Sequence, residues 1–459
     1  MSYQIQDDAL ISINPATEAA IGQITLTPVQ SLPQILKQAQ QAGKAWAQTP
    51  LTERIAVLSE ALQQAENHAA ELGLLISQEM GKPLAAGIGE ARYSLQHARE
   101  QILQEAQAAL APTQVTEADR LSEIHYLARG VVGVITPWNF PVNLSLNALI
   151  PALVAGNSVI YKPSEHTSLT GQLLVQLLNT HLPDQLLQSV YGAGEIGAAL
   201  SASALDMMAF VGSQATGQKI MAAQAPYLNP LILEMGGKDA MIVLADADLT
   251  QAAQYAVNGS LRNSGQVCVS VERIFVEAAV ATAFTAQVRE HIGQFKMGDP
   301  QAEDTQMGPL VSAQQRQQVL KQLQDAKAKG AQIEGGQIPA GKGFYLTPAL
   351  VTAANDQMLL MQEETFGPVV AIQVVDSAAE AIAKANQLDY GLGASLWSQS
   401  PQAATLALQL EAGMVGVNQG AGGVSGTPFV GNKKSSLGHF GGADGVRQFT
   451  QTRVLTRAL

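Results

Sequence analysis

The sequence has little cysteine and little charge. Among its 459 residues there is one cysteine, Cys268, and charged residues make up only 14%. A single cysteine cannot form a disulfide within the chain or supply a cysteine-rich zinc site. The seven histidines are scattered and lack the spacing of a metal-binding motif. We therefore expect no metal.

Basic residues and long apolar runs are also lacking. The 26 Lys and Arg residues against 38 Asp and Glu give a net charge of −12, which argues against nucleic acid as a partner. No stretch reaches the roughly 18 apolar residues of a membrane span, so we expect no membrane association. The first eight residues, Met-Ser-Tyr-Gln-Ile-Gln-Asp-Asp, show neither the basic nor the apolar region of a secretory signal. A cytoplasmic location is expected.

The pattern of apolar residues predicts an α/β protein. In the first hundred residues Ile55, Leu58 and Leu62 recur at helical spacing. From about residue 124, short apolar runs alternate with helical segments, which is typical of a parallel sheet covered by helices on both faces. The candidate strands are 131–135, 159–161, 207–211, 241–244, 273–277, 369–375 and 413–418, with 449–455 as an edge strand.

Two glycine-containing junctions could contact a nucleotide. Gly192-Ala-Gly-Glu-Ile-Gly197 has the spacing of a dinucleotide fingerprint, but the next strand does not end in the acidic residue that this fingerprint requires. We favour a tight turn there over a Rossmann pyrophosphate site. Gly212 and Ser213 lie where a predicted strand leads into a helix, and the free N–H groups of a helix start can face a phosphate.

Three polar side chains are predicted at strand ends and form a chemically coherent set. Cys268 follows a flexible Gly in a polar segment, Glu234 follows Leu231-Ile-Leu233, and Asn139 follows the run at 131–135. A thiol, a carboxylate and an amide donor can serve as nucleophile, general base and oxyanion donor. The alternative for Cys268 is a small buried apolar side chain.

The sequence resembles the NAD(P)-dependent aldehyde dehydrogenases over almost its whole length, and is nearest to short members that act on succinate semialdehyde. The resemblance lies in the joint order and spacing of several motifs, among them Asn14-Pro-Ala-Thr17, Glu79-Met-Gly-Lys-Pro83, Pro137-Trp-Asn-Phe-Pro141, Lys162-Pro-Ser-Glu165, Glu234-Met-Gly-Gly-Lys238, Gly265-Gln-Val-Cys268, Glu363-Glu-Thr-Phe-Gly-Pro-Val369 and Gly413-Met-Val-Gly-Val-Asn418.

The resemblance implies the domain organisation. It predicts a Rossmann-type NAD-binding domain formed by residues 1–108 and 129–236, and an α/β catalytic domain formed by residues 237–438. A small β-extension, residues 109–128 and 439–459, would mediate oligomerisation. Members of the family assemble as homodimers or as dimers of dimers, so a homodimer or homotetramer is expected.

The resemblance also implies the chemistry. Cys268 would attack the aldehyde as a thiolate, helped by polar surroundings and the positive charge of the cofactor. Asn139 and the Cys268 backbone N–H would hold the oxyanion, hydride transfer would leave a thioester, and water activated by Glu234 would hydrolyse it. The intact Glu234 favours hydrolysis over transfer to coenzyme A. A catalytically inactive binding protein and a plain thiol hydrolase are further alternatives.

The cofactor residues implied by the resemblance surround the same site. Glu364 would hold the nicotinamide ribose, Phe366 and Trp138 would pack nearby, and Gly212 and Ser213 would start the helix that faces the pyrophosphate. Lys162 and Glu165 match the positions that contact the adenosine ribose. Because a carboxylate repels a 2′-phosphate, we expect NAD in preference to NADP, with NADP as the alternative.

The substrate is predicted from fewer matches. Arg262 matches a position that binds the distal carboxylate in succinate-semialdehyde dehydrogenases, although an ion pair is an alternative role. Phe140, Asn147 and Phe429 match other pocket positions, and Asn147 stands where a second basic residue would be expected. We favour succinate semialdehyde or a related short semialdehyde, with a broad aliphatic aldehyde dehydrogenase as the alternative. The segment after Phe429 departs from the family pattern at Val430, Ser436, His439 and Phe440.

Overall fold

The computed structural model describes residues 2–459 and contains four β-sheets. Its strands are β1 (Tyr3–Gln6), β2 (Ala9–Ile13), β3 (Ala20–Thr25), β4 (Thr113–Glu117), β5 (Arg120–Ala128), β6 (Val131–Ile135), β7 (Ser158–Lys162), β8 (Leu187–Ser189), β9 (Met207–Gly212), β10 (Leu231–Met235), β11 (Asp239–Val243), β12 (Val271–Glu277), β13 (Gln332–Gly335), β14 (Ala349–Thr352), β15 (Val369–Val375), β16 (Gly393–Trp397), β17 (Met414–Val417), β18 (Ser436–Leu437) and β19 (Thr450–Ala458).

The α-helices cover the sheets and fill the first hundred residues. They are α1 (Leu32–Trp46), α2 (Leu51–Glu66), α3 (Ala69–Met80), α4 (Leu84–His97), α5 (Leu103–Ala109), α6 (Asn143–Val154), α7 (Ser168–Leu178), α8 (Gly194–Ser201), α9 (Gln214–Gln224), α10 (Leu249–Leu261), α11 (Ala278–Gln294), α12 (Ala313–Ala328), α13 (Leu359–Gln362), α14 (Ala378–Asn386), α15 (Ala403–Ala407) and α16 (Gly442–Gln448). Within residues 2–459, no helix is long and apolar enough to cross a membrane.

A six-stranded sheet has the order β18-β10-β9-β6-β7-β8, and all of its pairs are parallel except β10 with β18. Its strands are apolar and buried because helices cover both faces: Val132 and Val159 pack into one core cluster, and Val131 and Ile160 into another. The predicted strands at 131–135, 159–161 and 207–211 are confirmed.

A seven-stranded sheet has the order β13-β14-β15-β12-β11-β16-β17, with only its edge strand β13 antiparallel. The apolar residues of β11 alternate between two core clusters: Ile242 packs into one, and Met241 and Val243 into the other. This sheet contains the remaining predicted strands at 241–244, 273–277, 369–375 and 413–418, so the doubly wound α/β prediction is confirmed.

A separate three-stranded sheet has the order β19-β5-β4 and is exposed for most of its length. The predicted edge strand at 449–455 corresponds to β19, which pairs antiparallel with β5 from Thr450 to Ala458. Strand β18 comes from residues assigned to the catalytic domain but pairs with β10 of the six-stranded sheet. The domain boundaries themselves stay a prediction.

The predicted site lies where the chain passes from the six-stranded to the seven-stranded sheet. Strand β10 ends at Met235, and β11 begins at Asp239 after a turn of two glycines and Lys238. Asn139 lies four residues beyond the end of β6, as predicted, and Glu234 is the penultimate residue of β10. Cys268 differs from the prediction because it precedes the amino end of β12 instead of following a strand.

Candidate active site

One cleft of about 420 Å³ brings together most of the predicted residues. It lies between the carboxyl edge of the six-stranded sheet and the loops that precede β12 and β15. The predicted residues that line it are Trp138, Asn139, Gly212, Ser213, Glu234, Cys268, Glu364 and Phe366.

The loop that carries Cys268 has an unusual backbone. Asn263, Ser264 and Gly265 have consecutive positive φ angles of 53°, 58° and 73°. A side chain at Gly265 would overlap the carbonyl of Gly367, so only glycine allows this loop to touch the turn after Glu364. Left-handed non-glycine residues are costly and cluster at functional sites. Asn263 and Gly265 are residue types that tolerate this conformation, but it was not predicted from the sequence.

Asn139 is held in a defined orientation. Its Nδ2 donates to the carbonyl of Gln266 at 3.1 Å, which leaves its second N–H for a substrate oxygen. The backbone carbonyl of Asn139 accepts hydrogen bonds from Lys82 Nζ at 2.8 Å and from Asn263 Nδ2 at 3.1 Å. Lys82 forms a buried ion pair with Glu90. Neither Lys82 nor Glu90 was assigned a role from the sequence.

Glu234 is buried beside the thiol. Only 2% of its surface is exposed, and no hydrogen-bond partner of its Oε1 is present among residues 2–459. Burial raises the pKa of Glu234 to about 8, although the hydrogen bond with Cys268 opposes the rise and Asp239 adds to it. A carboxyl with this pKa can exchange a proton with water near neutral pH.

The surroundings of Cys268 correct one expectation. Burial raises the pKa of its thiol well above the ordinary value of 9.0, and the carboxylates of Glu234, Asp239 and Glu364 raise it further. The polar neighbours therefore oppose ionisation, contrary to the sequence prediction, because they are acidic. Without a cofactor, the thiol is protonated at neutral pH.

The predicted nicotinamide end of the cleft is built on the turn at residues 364–366. The ring of Phe366 lies 5.5 Å from that of Trp138 in an edge-to-face arrangement. A Cβ on Gly236 would overlap the carboxylate oxygens of Glu364, so Gly236 leaves the room in which this carboxylate lies. Burial and then Glu272 raise the pKa of Glu364, whereas Lys238 lowers it.

The predicted adenosine end lies beside β7 and α9. Lys162 Nζ is 3.2 Å from Glu165 Oε2 and 3.1 Å from the carbonyl of Pro163. Ser213 caps α9 by accepting from the Thr216 N–H, and the helix start faces the cleft. Strand β8 is followed by a loop through Gly192, and α8 begins at Gly194. The turn predicted at 192–197 is therefore wrong for residues 194–197, which form the first turn of a helix.

These features fit a dinucleotide. A helix start offers backbone N–H groups to a pyrophosphate, and Glu364 in the cleft offers a carboxylate acceptor to a ribose hydroxyl. Lys162 and Glu165 do not line the cleft itself, although the adjacent His166 does. Gly236 provides space that a side chain would fill. The residues present therefore fit NAD(P).

The predicted substrate residues line two different cavities. Asn147 and Phe429 line a cavity of about 280 Å³ that shares Leu144, Val211 and Glu234 with the cleft. Phe140 and Arg262 line another, of about 430 Å³, with Lys82 and Glu90. The two cavities have Tyr93 and Asn143 in common.

Arg262 is exposed at the opening of its cavity. Its guanidinium carbon lies 5.5 Å from the centre of the Phe140 ring, and among residues 2–459 no carboxylate lies within 4.0 Å of its nitrogens. The alternative role as an ion pair is therefore not supported. Residues 2–459 also contain no group of three or more His, Cys, Asp or Glu side chains arranged to hold a metal ion.

Comparison with known proteins identifies the family. The model of the aldehyde dehydrogenase family matches residues 4–455, and the chain belongs to this family. It is 37% identical over 453 residues to a 4,4′-diapolycopene aldehyde oxidase from a Methylomonas species, covering 96% of this chain and 84% of that protein. It is 35% identical over 460 residues to a Mycolicibacterium smegmatis protein provisionally named a succinate-semialdehyde dehydrogenase [NADP(+)], covering 96% and 88%.

The solved structures agree on the fold. A crystal structure of an NAD-dependent aldehyde dehydrogenase from Sinorhizobium meliloti matches with a TM-score of 0.95 and 30% identity, covering 98% of this chain and 91% of that one. The protein is thus an oxidoreductase that acts on aldehydes, and NAD(P) is its cofactor.

Proposed function

We propose that the protein oxidises an aldehyde to the free carboxylic acid through a thioester on Cys268, which is hydrolysed by water activated by Glu234. The observation that carries this proposal is the buried Glu234 carboxyl next to the chain's only thiol, in a cleft that Asn139 also lines. A carboxyl placed beside the thiol can accept a proton from an attacking water.

Cys268, Asn139 and Glu234 each have a separate role in the proposed reaction. The Cys268 sulfur bonds to the aldehyde carbon, and its proton passes to Glu234. The second N–H of Asn139 and the Cys268 backbone N–H stabilise the oxygen as it becomes negative. The bound NAD(P) supplies the hydride acceptor. Glu234 first releases the thiol proton to solvent and then takes a proton from water as the water oxygen bonds to the acyl carbon. The carbon–sulfur bond breaks, the proton returns from Glu234 to the Cys268 sulfur, and the carboxylic acid leaves.

Free acid as the product tests this proposal directly. With NAD, an aldehyde and coenzyme A present, we expect one carboxylic acid for each NADH formed. Formation of acyl-coenzyme A in place of the acid would contradict the role of Glu234. Product formed from an ester without any nucleotide, and none from an aldehyde with it, would favour a thiol hydrolase.

We infer that NAD is preferred to NADP. The Glu165 carboxylate is partly buried, and burial raises its pKa, but Lys162 and a backbone hydrogen bond outweigh this effect and keep the pKa below its usual range. An ionised Glu165 accepts a hydrogen bond from a ribose hydroxyl and repels a 2′-phosphate. A higher kcat/KM with NADP than with NAD would overturn this inference.

For the substrate, we propose succinate semialdehyde or a related short semialdehyde with a distal carboxylate. The support is the exposed Arg262 guanidinium, which has no carboxylate partner among residues 2–459 and opens onto a cavity of about 430 Å³. A guanidinium in this state can bind a carboxylate with two hydrogen bonds. The similar protein from Mycolicibacterium smegmatis carries the corresponding name.

Arg262→Ala tests the substrate proposal. Its KM for succinate semialdehyde is expected to rise about tenfold, the equivalent of roughly 1.4 kcal/mol, while its KM for propanal stays the same. Arg262→Lys is the matched control: it keeps the charge but loses the planar fork, so an intermediate KM is expected. Equal effects on both aldehydes would remove the case for an acidic substrate.

A broad aliphatic aldehyde dehydrogenase is the second candidate, and the cavity of about 280 Å³ favours it. Leu144, Val211, Phe429 and Phe440 line this cavity, no Lys or Arg does, and Glu105 would repel a carboxylate. If this cavity binds the tail of the substrate, kcat/KM will rise from propanal to hexanal and exceed the value for succinate semialdehyde.

We further propose a cytoplasmic homodimer or homotetramer that contacts its partner through the sheet of β4, β5 and β19. The side chains of Val115, Val454 and Leu455 on this sheet are more than half exposed in the single chain. These side chains lie on the two outer strands of the sheet, and a partner chain packed on it would remove them from water. Light scattering of the protein and of Val454→Glu tests it: the variant is expected to dissociate, and an unchanged mass would contradict the proposal.

A further inference from the structure

The backbone of the turn at residues 364–366 is held by a buried carboxylate that has no assigned role. Glu272 Oε2 accepts from the Thr365 N–H at 2.8 Å, and its Oε1 accepts from the Phe366 N–H at 2.9 Å. Phe366 has a positive φ of 51°. A carboxylate that accepts two consecutive N–H groups stabilises such a turn, which a bulky residue otherwise avoids.

A lysine fixes the other side of Glu272. Lys238 Nζ lies 2.5 Å from Glu272 Oε2 and donates to Thr365 Oγ1 at 2.9 Å. Only 1% of Lys238 is exposed, so the charge of each partner depends on the other. The pair therefore joins the turn to the segment that contains Lys238. This segment immediately follows β10, the strand that contains Glu234.

The three carbonyls of the turn are held from the opposite side. Gln315 Nε2 donates to the carbonyls of Thr365 and Phe366, at 3.1 and 3.0 Å, and Gln322 Nε2 donates to that of Glu364 at 3.2 Å. With Glu272 on the Thr365 and Phe366 N–H groups, the backbone from which the Glu364 side chain extends is held through both its donors and its acceptors.

Glu272 also belongs to the nucleophile segment. It lies four residues after Cys268, and the loop before Cys268 touches the same turn where Gly265 meets Gly367. The segment that carries the thiol thus contacts the turn at two points, one on each side of Cys268. A shift of either element would be transmitted to the other.

We propose that Glu272, paired with Lys238, is a positioning residue that fixes where Glu364 and Phe366 lie relative to Cys268. The nicotinamide half of the cofactor then binds close to the aldehyde carbon that is bonded to the Cys268 sulfur. This inference rests on the proposed function in that it takes Glu364 and Phe366 to contact the cofactor. Glu272 touches neither substrate nor cofactor and acts through the turn.

Glu272→Gln is the variant that tests the proposal. The amide has only one acceptor oxygen for the two N–H groups of Thr365 and Phe366. Its N–H₂ group would face another donor, either the Thr365 N–H or Lys238 Nζ, and could not hydrogen-bond to it. The dissociation constant for NAD, measured by calorimetry, is expected to rise about tenfold, or about 1.4 kcal/mol. Binding of AMP, which occupies only the adenosine end, is expected to change less than twofold. In steady state, the KM for NAD is expected to rise more than kcat falls.

Glu277→Gln is the matched control. Glu277 is on the same strand, and its carboxylate also accepts a backbone N–H, that of Ala245 at 2.6 Å, but it is not in contact with the turn. This variant is expected to bind NAD and AMP like the wild type. NAD binding by Glu272→Gln within twofold of the wild type, or an equal loss for NAD and AMP, would overturn the proposal.

The buried Lys238 would be left without its partner in Glu272→Gln, and the single variant could fail to fold. The double variant Lys238→Met with Glu272→Gln removes both charges at similar volume, which proteins often tolerate. It is expected to fold and to show the same selective loss of NAD affinity. Wild-type affinity for NAD in the double variant would overturn the proposal.

Glu364→Gln separates this proposal from the one on which it rests. If Glu364→Gln binds NAD as the wild type does, the assignment of Glu364 to the cofactor is wrong. If Glu364→Gln weakens NAD binding and Glu272→Gln does not, only the positioning role of Glu272 is wrong.

Discussion

The raised pKa of Glu234 predicts how turnover depends on pH. The base must be ionised to accept a proton from water, and its pKa is about 8 because the carboxyl is buried. With that pKa, roughly one-tenth of the molecules carry the active form at pH 7 and about nine-tenths at pH 9. Hydrolysis of the thioester is therefore expected to be about tenfold faster at pH 9 than at pH 7. Glu234→Gln removes the group, and with it this dependence.

Rapid mixing of enzyme, NAD and aldehyde provides the assay. If hydrolysis limits turnover, NADH appears in a burst of one equivalent per active site, and the slower phase that follows accelerates as pH rises through 8. In Glu234→Gln the burst is expected to persist while the slower phase nearly disappears at every pH. Glu277→Gln serves as the control and is expected to match the wild type. A slow phase that is flat from pH 6 to 9, or that changes near pH 4.5, would refute the reasoning.

Ionisation of Glu234 speeds hydrolysis as pH rises but lowers the stability of the folded protein. The folded protein keeps the Glu234 proton up to about pH 8, whereas the unfolded chain releases it near the ordinary value of 4.5. Unfolding is therefore favoured as pH rises between these values, and this group alone lowers the free energy of unfolding by about 2.5 kcal/mol between pH 5 and pH 7. In urea melts, the stability of Glu234→Gln relative to the wild type is expected to increase over this range. A constant difference would show that the pKa is not raised.

Three further predictions concern the rest of the cleft. Asn139→Ala is expected to lower kcat/KM by about 10²- to 10³-fold, because one oxyanion donor is lost, with the NAD dissociation constant unchanged; a similar loss of NAD affinity would point to a displaced loop. Alkylation of Cys268 by iodoacetamide in the cofactor-free protein is expected to keep accelerating above pH 9.0, since burial and the neighbouring carboxylates raise the thiol pKa, and a plateau below pH 8 would contradict this. Glu165→Ser is expected to raise kcat/KM with NADP by about tenfold, because the repelling carboxylate is gone; no gain would show that Glu165 does not face the 2′ position.

The fold was largely predictable because parallel strands buried on both faces leave uninterrupted apolar runs. The run at 131–135 coincides with β6, and that at 369–375 with β15. Glu234 and Asn139 were recognisable by their places at or after the ends of such runs. The position of Cys268 was less accurate: its loop precedes β12, and the backbone at Asn263 and Ser264 adopts a left-handed conformation that Asn tolerates but Ser rarely adopts.

The groups that hold the site together were not predictable, because their partners are distant in the sequence. Glu272 and Thr365 are 93 residues apart, and Lys82 reaches the Asn139 carbonyl across 57 residues. Spacing along the chain gives no indication of such contacts. The acidic surroundings of Cys268 were missed for the same reason, since Asp239 and Glu364 approach the thiol only in the folded chain.

The substrate cavities show that matching single residues to family positions does not establish that those residues line the same cavity. Arg262 and Asn147 were both predicted to contact the substrate, yet they line different cavities that share only Tyr93 and Asn143. Phe140 lines the cavity of Arg262, and Phe429 lines the cavity of Asn147. The KM values of Arg262→Ala test the cavity of Arg262, and the kcat/KM series from propanal to hexanal tests the cavity of Asn147. Together the two experiments distinguish an acidic from an aliphatic substrate.

The most direct test of the central claim is mass spectrometry of Glu234→Gln after reaction with NAD and an aldehyde. The proposed mechanism predicts that the peptide containing Cys268 gains the mass of the acyl group, that hydroxylamine releases it, and that Cys268→Ala gains nothing. An unmodified Cys268 peptide during full turnover of Glu234→Gln, or an acyl group on another residue, would contradict the claim that a Cys268 thioester is hydrolysed by water activated by Glu234.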